Sequence, residues 1–377
     1  MRKLAINITF KPTGGVLAQV NQLILNIDSY DFNQIVFYST RDNAHLFENI
    51  TSNKVTLKYV LFSSKSIIFR TIWEQLLLPF LLFTNQIDLL FCPGNISPII
   101  NTKKKVQWIH TIGPFEKNFI SSFSFRKRCV LIISKYLIIL SSHTSDMVIF
   151  DSNYTMNLFI SKFSQKKEKS YVIHSGNDEF FKPISTKRSN VFSHVKNNNF
   201  ILTVSHLYPY KNIELLLESY FNLKLHEKDL YIIVAGSISD EIYYKKLKLL
   251  VQRYGISKYV LFLGRLEIDG LRELYSNCKM FVFTSPFENF AYTLIEAMSC
   301  SAAIISTNTT AMPESCGNSA LYFSPNSQKE LSDCIMIFLN DEKKRLRYKD
   351  LALLKSKEYP FYADVNIRTN TLLTKLF

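Results

Sequence analysis

Apolar and polar positions alternate along the chain between two kinds of segment. Short runs of β-branched and aromatic residues are followed by longer segments in which apolar residues recur three or four positions apart. These two periods are typical of strands and helices, respectively. The pattern predicts strands at 4–10, 34–38, 55–60, 89–92, 105–109, 147–150 and 170–173, and later at 200–204, 231–235, 259–263, 280–283 and 303–306. Strands that alternate with helices indicate parallel sheets covered by helices, so the predicted fold class is α/β.

One polar, turn-rich segment, HSGNDEFFKP at 174–183, interrupts this alternation. It predicts two α/β domains, the first at 1–180 and the second at 181–359. The length of 377 residues agrees, because domains usually contain one hundred to two hundred residues. We expect the last segment, 360–377, to form a helix that packs back on the first domain.

Composition excludes several classes of protein. With 47% hydrophobic and 20% charged residues, the chain is too apolar to be disordered and too often interrupted by charge to be a membrane bundle. The longest apolar runs contain Arg70, Glu74 and Pro79 in one case and Lys135 in the other, so no transmembrane helix is predicted. The beginning of the chain predicts a strand, not a signal peptide. Six cysteines without a Cys-x-x-Cys pair favour a reducing cytoplasm.

The segment FVFTSPFENFAYTLIEAMSCSAAIISTNTTAMPE at 281–314 is the most informative in the chain. A strand ends in a Ser-Pro turn, Glu288 follows, and an apolar helix that starts near Tyr292 carries Glu296. Ligands of parallel sheets bind beyond the carboxyl ends of the strands, where helix amides point outward, so a diphosphate there would meet the N–H groups of 290–293. Carboxylates beside a phosphate repel it and therefore bind neutral hydroxyls. A nucleotide-activated sugar offers such hydroxyls on both its ribose and its sugar.

The same segment resembles the hallmark of the retaining glycosyltransferases of family 4, through SPFENFA, IEAMSC and MPE. The resemblance implies the GT-B fold, in which two Rossmann-like domains face each other across a cleft. It implies that Glu288 is a catalytic residue that contacts hydroxyls of the donor sugar, and that Glu296 binds the ribose. Further donor-binding residues implied by the match are Asn289, Phe290, Ala291, Tyr292 and Thr293.

A second motif, FILTVSHLYPYKNIELLLESYFNL at 200–223, resembles the first strand, turn and helix of the family's second domain. Lys211 stands where the family places a catalytic lysine against the donor diphosphate, and its point charge suits the negative charge that develops on the leaving nucleotide. Many members carry an arginine six residues earlier, where this chain has Ser205. Either Arg265 in the FLGRL segment completes the diphosphate clamp, or fewer charges neutralise the phosphate.

The first domain contributes two further candidates. The loop KPTGG resembles the family's Gly-Gly loop, and Gly14 and Gly15 would let the backbone approach the donor closely. The segment WIHTIGPF resembles a strand followed by a histidine that faces the donor sugar, so His110 is expected in the active site. No Gly-x-Gly-x-x-Gly dinucleotide motif occurs.

We expect neither a metal nor another cofactor. No two aspartates stand two residues apart, so the Asp-x-Asp metal clamp of the other large glycosyltransferase fold is missing. Helix N-termini and cations would then hold the nucleotide, which is a substrate.

The formal charge of +14 indicates an anionic partner. The basic clusters 103–105 and 126–128 flank apolar segments, and many relatives of this kind meet an anionic bilayer to reach their acceptor. We therefore expect a peripheral protein on the inner face of the cytoplasmic membrane, acting on a glycan or polyprenyl-diphosphate-linked acceptor in O-antigen or capsule synthesis. No nucleic-acid-binding module is present, so nucleic acid is not an expected partner.

Two alternatives remain open at this point. One is a related GT-B sugar-nucleotide epimerase or phosphorylase. The other is a catalytically silent GT-B scaffold that binds a membrane or a partner enzyme, which the missing arginine at Ser205 makes conceivable.

Overall fold

Two parallel β-sheets organise the computed structural model, one in each of two units. The first unit comprises Met1–Gly176 and Pro360–Phe377, and the second comprises Asn177–Tyr359. The structure describes residues 2–64, 66–100, 103–185 and 199–377.

The first sheet has seven strands in the described residues, in the spatial order β3-β2-β1-β4-β5-β6-β7. Its strands are Lys3–Ile8 (β1), Gln34–Thr40 (β2), Val55–Val60 (β3), Leu89–Cys92 (β4), Lys104–Ile109 (β5), Met147–Phe150 (β6) and Ser170–Val172 (β7). Strands β2 and β3 are added on one side of β1, and β4 to β7 are added on its other side. The loops that follow β1 and β4 are therefore neighbours at the carboxyl edge of the sheet.

The second sheet has six strands within the described part of the chain, in the order β10-β9-β8-β11-β12-β13. Its strands are Phe200–Val204 (β8), Tyr231–Ala235 (β9), Val260–Gly264 (β10), Met280–Phe283 (β11), Ile304–Thr307 (β12) and Ala320–Phe323 (β13). The predicted strands are confirmed with shifts of at most two residues at their ends. β13 was not predicted, because its four residues have no clear alternation and become a strand only by pairing with β12 at the edge.

The helices cover both sheets. They are Gly14–Leu25 (α1), Ile67–Ile72 (α2), Leu78–Thr84 (α3), Lys117–Ser121 (α4), Phe125–Thr144 (α5), Asn153–Phe163 (α6), Ile213–Asn222 (α7), Glu241–Arg253 (α8), Ile268–Asn277 (α9), Tyr292–Ser299 (α10), Met312–Cys316 (α11), Gln328–Asn340 (α12), Glu342–Ser356 (α13) and Tyr362–Thr374 (α14). α14 belongs to the first unit and contacts α1, where Asn366 Nδ2 donates to the carbonyl oxygen of Gln22 at 3.1 Å.

Helices α2, α3 and α5 lie on the same face of the first sheet. Leu90 of β4 is the register partner of Lys105 of β5, and partners in adjacent parallel strands point to the same face. Leu90 packs in one apolar cluster with Leu78 and Leu82 of α3. Lys105 Nζ donates to Thr144 Oγ1 at the end of α5, over 2.7 Å. The outer sides of these helices therefore belong to one surface of the first unit.

Helices α2 and α3 are joined by a π-helical turn, Trp73–Leu77, into one continuous segment. Pro79 lacks an amide hydrogen, which explains the wider turn just before it. By length and composition alone, the 18 residues of Ile67–Thr84 could cross a membrane, so the expectation of no transmembrane helix stays a prediction. By itself such a helix is weak evidence for a membrane span.

Glu74, which interrupts this apolar run in the sequence, does not face the solvent. Its side chain is buried, and Oε1 accepts hydrogen bonds from Asn7 Nδ2 at 2.8 Å and Thr9 Oγ1 at 3.1 Å. Burial raises the pKa of this carboxyl group, against the opposing charge of Arg70 and the hydrogen bonds. The charged residues in the sequence of this segment therefore overstate how polar its outer side is.

Candidate active site

The site of the second unit lies where the strand order reverses. β8 pairs with β9 on one side and with β11 on the other, so the loops after β8 and β11 leave the sheet side by side at its carboxyl edge. Ligands of open α/β sheets bind at such reversal points. The loop after β8 carries Ser205 and Lys211, and the loop after β11 carries Glu288.

Lys211 and Glu288 are in direct contact at this point. Lys211 Nζ donates to Glu288 Oε1, and Ser285 Oγ donates to the same oxygen at 2.7 Å. Thr284 Oγ1 fixes the turn by donating to the carbonyl oxygen of Lys211 at 2.6 Å. The two charged side chains are 12% and 18% exposed, so both are largely shielded yet reachable. A ligand that enters here meets a cation and a carboxylate together.

The charges around this pair shape its electrostatics. Burial lowers the pKa of Lys211, but the neighbouring Glu288 carboxylate and hydrogen bonds outweigh it, so that the pKa is raised and the ammonium stays charged. Desolvation together with the charges of Lys211 and Arg265 lowers the pKa of His206, against the attraction of Glu288. Arg265 therefore contributes positive potential to the same site, and its side chain lies at the surface.

The backbone at Ser205 lies very close to the backbone at Gly236. Gly236, which follows β9, has φ of +131°, and a Cβ at that position would lie 1.9 Å from the carbonyl oxygen of Ser205. Only glycine fits there. The hydroxyl of Ser205 is buried and has no hydrogen-bond partner among the described residues. A phosphate oxygen is an acceptor that would satisfy it.

Helix α10 starts at Tyr292, as the sequence predicts, directly after Ala291, whose side chain cannot cap it. Asn289, Phe290 and Ala291 are buried. The ring of Phe290 packs on Tyr359 at 5.7 Å and on Tyr292 at 5.1 Å, which fixes the loop. The first turn, which includes Thr293, thus presents backbone amides where the positive end of the helix dipole favours an anion.

Glu296 lies farther along α10 and has a partner that the sequence did not reveal. Tyr275 of α9 donates its hydroxyl to Glu296 Oε2 at 2.9 Å. Burial raises the pKa of Glu296 to about 7, with the Tyr275 hydrogen bond opposing the shift and the charge of Asp178 adding to it. Nothing in the local sequence links Tyr275 to Glu296, because the contact joins two helices.

In the first unit, His110 follows β5 and is held on both sides. Its Nδ1 lies 3.0 Å from Asp151 Oδ2, Trp108 Nε1 donates to Asp151 Oδ1 at 2.7 Å, and the amide of His110 donates to Asn95 Oδ1 at 2.7 Å. The carboxylate engages Nδ1 and so sets the tautomer. Asp151 was not predicted, although Ile109 and Phe150 are register partners, so the residues that follow them are neighbours.

The glycine loop also belongs to the first unit. Gly14 has φ of +57° and begins α1, so a left-handed residue is required there. Asn43 Nδ2 donates to the carbonyl oxygens of Ile8 and Phe10 at 3.0 and 2.8 Å, which pins the chain that leads to Gly14 and Gly15.

The predicted candidates thus divide between the units. Ser205, Lys211, Arg265, Glu288, Glu296 and the residues from Asn289 to Thr293 belong to the second unit, and Gly14, Gly15 and His110 belong to the first. Across the ranges that the structure describes, no three His, Cys, Asp or Glu side chains come together as a metal site.

One expectation about the basic surface is wrong. Lys105, predicted within the exposed cluster 103–105, is buried. Its ammonium contacts the carbonyl oxygens of Pro98 and Ile99 and the hydroxyl of Thr144, and burial lowers its pKa to about 8. A short lysine-rich run cannot reveal which side chain turns inward when the run starts a strand.

Comparison with known proteins relates the chain to glycosyltransferases in sequence and in fold. Residues 185–353 match the family model described as "Glycosyl transferases group 1". The chain is 33% identical over 164 residues to the serotype-specific mannosyltransferase WbdA of Escherichia coli, which covers 43% of this chain and 20% of that protein. The chain thus spans about a fifth of WbdA.

Two further similarities extend over more of the chain. A Campylobacter jejuni N-acetylgalactosamine-N,N'-diacetylbacillosaminyl-diphospho-undecaprenol 4-alpha-N-acetylgalactosaminyltransferase is 27% identical over 232 residues, 60% of each chain. The crystal structure of Anabaena Alr3699/HepE in complex with UDP-glucose matches with a TM-score of 0.75 at 18% identity, covering 100% of both chains. The second unit therefore carries a glycosyl transferases group 1 domain, in a chain that has the GT-B fold of glycosyltransferases.

Proposed function

We propose that the protein is a retaining glycosyltransferase that moves a hexose from a nucleotide-sugar donor to a hydroxyl group of a glycan or lipid-linked acceptor. The observation that carries this proposal is the Lys211–Glu288 pair at the reversal point between β8 and β11. A cation and a hydroxyl-binding carboxylate meet there beside the N-terminus of α10. That combination suits a diphosphate attached to a sugar.

In this mechanism each group of the second unit has a separate task. The ammonium of Lys211, helped by Arg265 and the first amides of α10, stabilises the charge that develops on the departing diphosphate. Glu288 accepts hydrogen bonds from hydroxyls of the donor sugar, and Glu296 accepts them from the ribose. The hydroxyl of Ser205 donates to a phosphate oxygen in place of the arginine that this chain lacks.

The first unit provides His110 for the sugar. Because Asp151 engages Nδ1, Nε2 is the ring nitrogen that would contact the sugar. The acceptor oxygen bonds to the anomeric carbon on the face where the bond to the diphosphate breaks, so the configuration is retained. The departing phosphate accepts the proton of that hydroxyl, so no separate general base is required. In the same proposal, Gly14 and Gly15 leave room for the donor because they carry no side chains.

The relatives indicate the context of the reaction. The E. coli relative is named a serotype-specific mannosyltransferase, and the C. jejuni relative is named for a diphospho-undecaprenol acceptor. We propose that this chain likewise acts in bacterial polysaccharide synthesis on a lipid-linked acceptor, without a metal ion.

A peripheral position on an anionic membrane accompanies this proposal. Phe125, Ile133 and Tyr136 of α5 are exposed, and exposed Arg126 and Arg128 lie on the same helix. Between Lys117 and Thr144 the sequence has no acidic residue. A surface that joins apolar and cationic side chains matches anionic headgroups above an acyl layer.

The test is to incubate the protein with a panel of sugar nucleotides and a lipid-linked acceptor, with and without EDTA. We expect a glycosylated product with retained anomeric configuration by NMR, and unchanged rates with EDTA. Inverted product contradicts the mechanism, loss of rate with EDTA contradicts metal independence, and an epimerised donor or no reaction supports the alternative classes.

A further inference from the structure

A groove lies beside β3, the edge strand of the first sheet. It has a volume of about 870 Å³, which is within the range of small-molecule sites. Its walls come from the end of β3, the chain that follows it, and the segment from α2 to α3. Six lining residues that characterise it are Tyr59, Val60, Phe62, Ile72, Trp73 and Leu77.

Two polar side chains on the walls, those of Lys58 and Ser63, already have partners within the protein. Lys58 Nζ donates to Asn85 Oδ1 at 2.6 Å, and Ser63 Oγ donates to Asp42 Oδ2 at 2.6 Å. The remaining walls are mostly aromatic and aliphatic. An occupant therefore gains from burying hydrocarbon and loses little by lacking hydrogen-bonding groups.

The groove is continuous with the exposed apolar face of the segment from α2 to α3. Phe69, Ile72 and Leu77 line the groove, and their side chains are also 65%, 50% and 53% exposed. Leu76 and Phe80 extend the same exposed face beyond the groove. A hydrocarbon chain can thus pass from a lipid layer on this face into the groove without crossing water.

The groove also lies at the carboxyl edge of the first sheet, which is the edge where the proposed reaction takes place. It begins at the carboxyl end of β3, and Trp73 forms its wall by packing on Tyr38 at 5.7 Å and Phe62 at 6.0 Å. The next residue, Glu74, accepts hydrogen bonds from Asn7 and Thr9 at the end of β1, just before the glycine loop. A molecule held in the groove therefore has its polar end near the carboxyl edge of the first sheet.

We propose that this groove binds the isoprenoid chain of a lipid-linked acceptor, an assignment that rests on the proposed function. Only a diphosphate and a few sugars separate the isoprenoid chain from the reacting hydroxyl, so the chain has to be held near the carboxyl edge, where the groove opens. An acyl chain of a bulk phospholipid has no such requirement. The groove thereby selects acceptors by their lipid as well as by their sugar.

Direct binding can be measured through Trp73, which is 8% exposed and lines the groove, since the other of the two tryptophans, Trp108, does not line it. In a Trp108→Phe variant, titration with farnesyl diphosphate is expected to shift the emission of Trp73 to the blue and to saturate. A straight-chain alkyl diphosphate of equal length and phosphatidylglycerol vesicles without isoprenoid are the comparison probes. Equal responses to these probes, or no response to farnesyl diphosphate, overturn the proposal.

Function is tested with a matched pair of variants on one turn of helix. Leu77→Trp fills the groove, and Leu76→Trp adds the same side chain to the exposed face outside it. We expect Leu77→Trp to raise the KM for a polyprenyl-linked acceptor about tenfold and to leave the KM for the donor unchanged, while Leu76→Trp changes neither. Equal effects of both variants contradict the groove. Val60→Phe, which fills it from the strand side, replaces Leu77→Trp if that variant does not fold.

The two proposals fail in different ways. If no acceptor is glycosylated, the proposed function fails while the Trp73 titration still decides the groove. If transfer to a lipid-free glycan occurs and farnesyl diphosphate does not bind, the function stands and the groove is rejected.

Discussion

Both units are parallel β-sheets covered by helices, but the exposed faces of their helices differ in polarity. In the second unit, α8 buries Tyr243, Leu247 and Val251, and six of its eight exposed residues are charged or polar, three of them lysines. In the first unit, the segment from α2 to α3 exposes apolar side chains such as Ile68 and Phe83 along its length. Exposed apolar side chains along a whole segment are typical of a surface that contacts a membrane or another molecule, as we propose for the first unit.

The carboxyl edges of the two sheets differ as well. The second unit has a charged pair within reach of a ligand, Lys211 with Glu288. The first unit uses buried carboxylates, Asp151 and Glu74, to orient His110 and the end of β1. In the proposed mechanism, the edge of the second unit supplies charge to the reaction, and the edge of the first unit positions His110.

The largest expected effect tests the charged edge. Lys211→Ala should lower kcat/KM by about 10² to 10³, because one electrostatic stabiliser of a transition state is worth that much. Thermal unfolding should change little, and steady-state kinetics provides the measurement. Lys246→Ala, which removes the more exposed Lys246–Glu214 pair of the same unit, is the control and should retain full activity. Activity of Lys211→Ala within a few-fold of wild type contradicts the role of Lys211.

The second effect tests the outer face of the first unit. Replacing Arg126, Lys127 and Arg128 by alanine should weaken binding to phosphatidylglycerol vesicles by roughly 10², since each cation near an anionic surface contributes about 1 kcal/mol. Flotation at low and high salt measures this, and salt should weaken wild-type binding too. Alanine at Lys343, Lys344 and Arg347 of α13 removes the same charge from the second unit. Equal losses from both triple variants indicate attraction by net charge alone.

A third and smaller effect concerns the scaffold under Ser205. Gly236→Ala should lower the free energy of unfolding by about 1–3 kcal/mol, because the residue is strained and its Cβ meets the Ser205 carbonyl. Gly255→Ala is matched in having a positive φ, with nothing within 4 Å of the added atom. It should cost less, and urea denaturation compares the two. Equal costs would show that the contact with Ser205 is not tight.

The smallest effect is the pH dependence of nucleotide binding. With a pKa raised from 4.5 to about 7, the carboxyl group of Glu296 is protonated at pH 5.5 and ionised at pH 8.5. The ionised form accepts stronger hydrogen bonds from ribose hydroxyls, so affinity should rise several-fold with pH across this window. Calorimetry of wild type against Glu296→Gln isolates the contribution, because the diphosphate titrates equally in both. Parallel pH profiles contradict ribose binding by Glu296.

Much of the fold and part of the site were predictable from the sequence. Parallel strands buried on both faces read as short apolar runs, which is why β4, β6 and β11 were located to the residue. Lys211 and Glu288 were identified because each follows a recognisable strand and lies in a motif that resembles family 4. Tyr275, Asp151 and the role of Glu74 were not identified, because each acts through a partner on another element.

The sequence by itself determined the two α/β domains, the positions of the strands other than β13 and the candidate residues of the carboxyl edges, because these depend on local periodicity and on short motifs. Only the tertiary structure decided that Lys211 touches Glu288, that Lys105 and Glu74 are buried, and that the apolar side of Ile67–Thr84 faces outward. The physical reason is that charge and hydropathy are properties of single residues. Burial and partnership depend on which distant strands and helices come together.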